Sequence, residues 1–201
     1  MIKNIIFDVG NVLVTWDPYV PFEKFFKNRD EITAFFEEID FKNMVRVTDL
    51  GVTYKTAIEN AVKKFPRHEE ALLAYDTGWA SSVTGKVDGT LEMMVRLKKA
   101  GYGVYGLSNF SHEKFPICAK KYGFAEHFDG VVISGEVREV KPEEPIYKIL
   151  LKKYNLKPEE CVFLDDRREN LETAKRLGFK TILFTDAENA EKELRSLGVK
   201  F

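Results

Sequence analysis

The sequence predicts an α/β fold, a parallel β-sheet covered by helices on both faces and interrupted by one inserted helical lobe. Two observations carry this. Five short apolar runs recur, at residues 4–9 (NIIFDV), 103–108 (GVYGLS), 130–134 (GVVIS), 161–165 (CVFLD) and 180–184 (KTILF). They are nearly continuous in hydrophobicity, as strands buried on both faces are. Helical patterns fill three of the intervals, and the order strand, helix, strand argues for parallel pairing through crossovers.

The first run is followed by the exception. Residues 16–88 hold no strand pattern but four helical ones: PFEKFFKN, EITAFFEEI, TYKTAIENAVKKF and HEEALLAYDTGW. In the third, Ala57, Ile58, Ala61, Val62 and Phe65 recur at helix spacing. An excursion of this size predicts a lobe over residues 16–85, with residues 1–15 and 86–201 forming the sheet domain. Its many aromatics are expected to be its own core, and GWASS at 78–82 the returning hinge. Beyond it, DGTLEMMVRLKKAGY places Leu91, Met94, Val95 and Leu97 on one stripe and ends at Gly101. EPIYKILLKKYNL repeats the pattern with Ile146, Ile149, Leu150 and Tyr154, and NLETAKRLGF closes at Gly178, a helix terminator.

The totals narrow the function classes. A chain of 201 residues, 44% hydrophobic and 31% charged, is long enough for one sizeable core and is not a disordered polymer. Its net charge of −1 provides no global field for nucleic acid or anionic lipid, so neither is expected as a partner. The lysine pairs at 63–64, 98–99 and 152–153 read as solvated helix faces. Cys118 and Cys161 supply neither a close metal-binding pair nor a disulfide framework, and Cys161 opens a buried strand as a core thiol. The start, MIKNIIFDVG, turns polar too soon for a leader or a membrane span, which makes the cytoplasm the expected location.

Ligands of such sheets bind beyond the carboxyl ends of the strands, where strand order reverses. Asp8 ends the first strand, Ser108 and Asn109 the second, and Asp165 and Asp166 the fourth, while Lys141 lies in the loop region after the third. Each alone reads more readily as a turn or cap residue than as a site. Their shared placement points to one pocket, and its chemistry fits phosphoryl transfer. A carboxylate can attack phosphorus and form an acyl phosphate, splitting one hard displacement into two steps. Repulsion between that carboxylate and a phosphate dianion calls for a cation, and oxygen ligands such as Asp8 and Asp166 suit magnesium. Ser108 and Lys141 can hold phosphate oxygens, the lysine also offsetting transition-state charge.

These motifs resemble those of the haloacid dehalogenase superfamily, in the branch with a helical cap inserted directly after the first motif, over essentially the whole chain. FDVGNVL resembles the nucleophile motif, with Asp8 in the nucleophile's place and the Gly10 carbonyl in that of the backbone metal ligand. LSN resembles the second motif, implying Ser108 and its neighbour Asn109 as phosphate binders, and VKP supplies Lys141 as the family's catalytic, phosphate-binding lysine. FLDDRREN resembles the acidic fourth motif, with Asp166 as metal aspartate, Asp165 its acidic neighbour and Asn170 where another aspartate often stands. The resemblance implies a Rossmann-like core, a Mg2+ cofactor and a small phosphorylated metabolite as substrate.

Two departures matter. Gly10 stands where family phosphatases carry the acid that protonates the leaving group, and Asn170 replaces a frequent acid. The combination FD-x-GNV resembles that of bacterial sugar-1-phosphate phosphatases, so the glycine reads as a tuned feature. Two other functions compete. A 2-haloacid dehalogenase needs no proton for its halide, but the dehalogenases of this superfamily work without metal and lack the pair at 165–166. A non-catalytic phospholigand-binding or protein-interaction module of the same fold has no use for both nucleophile and lysine. Substrate choice is expected from the cap, where Trp16 and Asp17 in TWDP are the nearest candidates, Asp17 also as a substitute acid, and Arg46 a looser one.

Overall fold

The computed structural model describes residues 1–201. The first strand, β1 (Asn4–Phe7), is followed by β2 (Val14–Trp16) and β3 (Val83–Lys86), which pair antiparallel as a separate ribbon. Then come β4 (Gly103–Ser108), β5 (Gly130–Ile133), β6 (Cys161–Asp165) and β7 (Lys180–Leu183). These four and β1 form one parallel sheet in the order β5-β4-β1-β6-β7. The chain builds outward from β1 on one side, then returns to build on the other. Strand order therefore reverses beside β1, the central strand.

Side chains alternate across this sheet as the period of two demands. Ile5, Phe7, Val162 and Leu164 face one apolar cluster, while Ile6, Phe163 and Leu107 face a second with Tyr147 and Leu150. Both faces are dry, which is why the strands read as unbroken apolar runs. Helices α5 (Thr90–Lys99), α6 (Phe115–Tyr122), α7 (Ser134–Val137), α8 (Glu144–Lys153), α9 (Arg168–Arg176) and α10 (Ala187–Ser196) cover the strands. In α5 the buried residues include Met93, Met94 and Leu97, with Leu91 and Val95 at the margin. The apolar patterns do not announce α6, α7 or α10. Lys120 and Lys121 stand near the end of α6, α7 is a single turn, and half of α10 is charged.

Between β2 and β3 lies the inserted helical region: α1 (Arg29–Ile39), α2 (Phe41–Asp49), α3 (Tyr54–Lys64) and α4 (Glu69–Gly78). Four helices are present, but not the expected four. PFEKFFKN forms only a short 3-10 turn over Val20–Phe22, because Asn28 caps the next helix by accepting the Glu31 N–H at 2.9 Å. Helix α2 was not expected. Asp40, at φ 53, ends α1 and starts α2 by accepting the Asn43 N–H, so two helices follow with one residue between them. The absence of strands expected over 16–88 is likewise corrected: β3 falls within it. It was hidden because a ribbon of three and four residues with one buried valine per strand, Val14 and Val83, makes no apolar run.

The aromatics do form the insert's interior. Phe22, fully buried, lies 5.3 Å from Phe35, 5.8 Å from Phe41 and 5.0 Å from Tyr75 between ring centroids. No helix is long and apolar enough to cross a membrane.

Candidate active site

Parallel register puts two carboxylates side by side. Phe7 pairs with Leu164, and the Asp8 N–H extends the ladder by donating to the Leu164 carbonyl at 2.9 Å. Asp8 and Asp165 consequently leave adjacent strand ends in the same direction. Lys141, from the loop between α7 and α8, places its ammonium between them, 2.9 Å from Asp8 Oδ1 and 2.7 Å from Asp165 Oδ2. All three side chains are at least nine-tenths buried.

The loop that carries Lys141 is fixed by Asn109. Its amide donates to the Lys141 carbonyl at 2.9 Å and its oxygen accepts the Lys141 N–H at 2.7 Å. Asn109, expected to bind phosphate, therefore spends its side chain on positioning the lysine. Asp165 is saturated: besides Lys141, Asn170 donates to both its oxygens at 2.9 and 3.0 Å, and the Arg167 N–H donates at 2.9 Å. Asn170 thus stands behind Asp165 and secures it.

Asp8 and Asp166 differ from Asp165 in keeping oxygens free. Asp8 Oδ1 accepts from the Val9 N–H and Lys141, and Asp166 Oδ2 accepts from Asn11 at 3.1 Å. No protein donor reaches the second oxygen of either, nor the Gly10 carbonyl. Ligand oxygens of Asp8, Asp165 and Asp166 lie within 4.8 Å of one another. A hard divalent cation fits this set, which offers oxygen only. Burial pushes the Asp8 carboxyl above the usual range; Lys141 opposes this, and Asp165 and Asp166 add to it. Burial raises Asp166 too, with Asn11 opposing. Burial would lower Lys141, but Asp165 and Asp8 outweigh it, so the ammonium is held more firmly than usual.

The cluster opens into a cavity of about 1010 Å³ between sheet and insert. Ser108, at the end of β4, Asn109 and Gly10 line it from the core, and Trp16 and Arg46 from the insert. Arg46 also pairs with Glu143 at 2.7 Å. Asp17 is not brought to the cavity. It accepts the Tyr19 N–H at 3.0 Å and pairs with Arg29 at 2.7 Å, a local role in shaping the insert's first turn.

Two residues at the site escape sequence reasoning. Asn11, at φ 56, bridges Asp166 and the Trp16 N–H, which it accepts at 3.2 Å. The signal was present, since asparagine after glycine tolerates the left-handed region better than other non-glycine residues do. Asp49, the last residue of α2, lines the cavity opposite the core. Nothing in TDLG separates it from any helix end.

A haloacid dehalogenase-like hydrolase family model matches residues 2–178. The chain is 26% identical over 217 residues to a glyceraldehyde 3-phosphate phosphatase of Pyrococcus furiosus, covering 96% of this chain and 85% of that one. It is 25% identical over 202 residues to drimenol cyclase drtB of Aspergillus calidoustus, covering 98% of this chain. A Bacteroides thetaiotaomicron enzyme of the same superfamily, bt-2542, solved with magnesium and inorganic phosphate, superposes with a TM-score of 0.77 at 23% identity. That match covers 97% of this chain and 100% of the other. The chain spans 37% of the length of drimenol cyclase and 21% of that of rat bifunctional epoxide hydrolase 2. With motifs, sheet order and family model in agreement, the chain belongs to the haloacid dehalogenase-like hydrolases.

Proposed function

We propose that this hydrolase is a magnesium-dependent phosphatase that cleaves a small phosphomonoester through an aspartyl-phosphate on Asp8. The observation that carries the reading is the free oxygen of Asp8, held at the cavity floor by Lys141 and the Val9 N–H through its other oxygen. That oxygen attacks phosphorus, and Lys141 and Ser108 bind the phosphoryl oxygens. Asn109, Asp165 and Asn170 keep Lys141 in place. Magnesium, held by Asp8, Asp166 and the Gly10 carbonyl, would supply the positive charge that brings an anionic substrate to an anionic nucleophile.

Residues 1–15 and 86–201 carry this chemistry, and residues 16–85 form the lid that selects the substrate. A sugar phosphate is the favoured substrate, supported by the FD-x-GNV motif and by the name of the Pyrococcus relative. The saturated Asp165 beside a free Asp166 speaks against a metal-free dehalogenase, whose chemistry needs no such cluster. The unpaired, buried thiols of Cys118 and Cys161 support a reducing compartment, the cytoplasm.

The test is hydrolysis of a phosphomonoester panel with magnesium and with chelator, for wild type and Asp8→Asn. Turnover lost in chelator and in the variant, with acid-stable phosphoprotein trapped only in wild type, is expected. Equal activity in all conditions would eliminate the mechanism.

A further inference from the structure

The core presents no side chain at Gly10, where the superfamily motif of its phosphatases carries an acid. A Cβ built on Gly10 meets nothing within 4 Å, so the place a side chain would take is open space in the cavity. Asp49 faces the same cavity from the insert. Its carboxylate accepts no hydrogen bond and joins no ion pair, unlike Asp17, which has both. An unpartnered acid on the wall of the cavity that holds Asp8 and Lys141 is a candidate for proton transfer there.

Its position is fixed from both sides. Two residues after Asp49, Gly51 at φ 91 lies so close to the core that a Cβ there would stand 2.9 Å from the Gly135 carbonyl oxygen. The Tyr54 N–H donates to Glu113 at 2.6 Å, and Arg46 on the preceding turn reaches Glu143. The end of α2 is thus docked on the core, over the strand ends. We propose that Asp49 performs the proton transfers for which Gly10 leaves no side chain.

The inference rests on the aspartyl-phosphate reading above. In the first step Asp8 bonds to phosphorus, the bond to the leaving oxygen breaks, and that oxygen takes the proton of Asp49. In the second, water attacks phosphorus and gives its proton to the Asp49 carboxylate. The bond from phosphorus to Asp8 breaks with its electron pair returning to Asp8, and alcohol and phosphate leave. Burial raises the Asp49 carboxyl to about 7, Lys141 opposing and Asp8 adding, which is the direction a proton donor needs.

The experiment plots log kcat/KM against leaving-group pKa for aryl and alkyl phosphates with magnesium, in wild type, Asp49→Asn and Asp17→Asn. Wild type and Asp17→Asn should give shallow lines. Asp49→Asn should steepen the line, losing roughly 10²–10⁴-fold on alkyl phosphates and far less on aryl phosphates. Gly10→Asp added to Asp49→Asn should restore part of the alkyl activity. Calorimetric binding of magnesium with inorganic phosphate should be unchanged in Asp49→Asn. An equal loss across all leaving groups, a loss of phosphate binding, no loss at all, or a steep wild-type line would each overturn the assignment while leaving Asp8 as nucleophile. Absence of metal-dependent turnover in wild type would overturn both readings.

Discussion

Replacing Lys141 by methionine removes the only ammonium among three clustered carboxylates. Its nitrogen lies 2.9 Å from Asp8 and 2.7 Å from Asp165, with side chains 1%, 9% and 0% exposed. At about 3 Å and an effective dielectric constant near 20, each attraction is on the order of 5–6 kcal/mol before desolvation is subtracted. Breaking a buried pair by deleting one partner costs about 3–5 kcal/mol, since the stranded charge must stay buried or take up a proton. For a chain of this length that is a fall in Tm of roughly 6–20 °C. The assay is urea and thermal unfolding in chelator of Lys141→Met, Asp165→Asn and the double variant. The double variant should be less destabilised than the sum of the singles by about 1.5 kcal/mol or more, because Asp165→Asn removes a charge that Lys141 neutralises. Magnesium should narrow the gap between Lys141→Met and wild type. Additivity within about 0.5 kcal/mol would show that the pair is not coupled and refute the reasoning.

Three further outcomes follow from the packing and the surface charges. Gly51→Ala places a Cβ 2.9 Å from the Gly135 carbonyl oxygen at φ 91, and should cost about 1–3 kcal/mol by urea unfolding; an unchanged midpoint would mean the contact is not tight. Phe22→Ala, at the centre of the insert's aromatic cluster, should cost about 3–5 kcal/mol and loosen amide-exchange protection in α1 and α4 before the sheet. Arg96 and Arg195 hold the Glu191 carboxyl down to about 2 from 4.5, so its contribution is present above pH 4.5 and lost as pH falls toward 2. Glu191→Gln should therefore flatten the acid limb of the stability curve in that window, and an unchanged limb would show that the pairing contributes nothing.

The sheet was legible because burial on both faces writes itself as continuous apolar runs, and the core site because strand ends converge. Asp8, Ser108, Lys141 and Asp166 meet as the spacing implied. What escaped depends on contacts between distant segments. The β2–β3 ribbon is short and pairs across the whole insert, so no local pattern marks it. The use of Asn109 on Lys141 follows from a loop turning back 32 residues later. Asp17 looked near the site by sequence, but Arg29, one helix on, draws it away. Asp49 reaches the site only because Asp40 ends one helix and begins another.

The ribbon bears on how the fold tolerates change. Val14 pairs with Lys86, so the chain leaves and re-enters the core at neighbouring points. To the core, everything between is one hairpin loop, and closing a loop costs only about 0.6 kcal/mol more for each doubling of its length. The insert can therefore lengthen or shorten at little entropic cost to the sheet beneath, provided that its contacts with the core at Arg46, Gly51 and Tyr54 are kept. What limits change in such an insert is its few docking contacts on the core, and not the two-stranded joint, which closes the loop at nearly the same cost whatever its length.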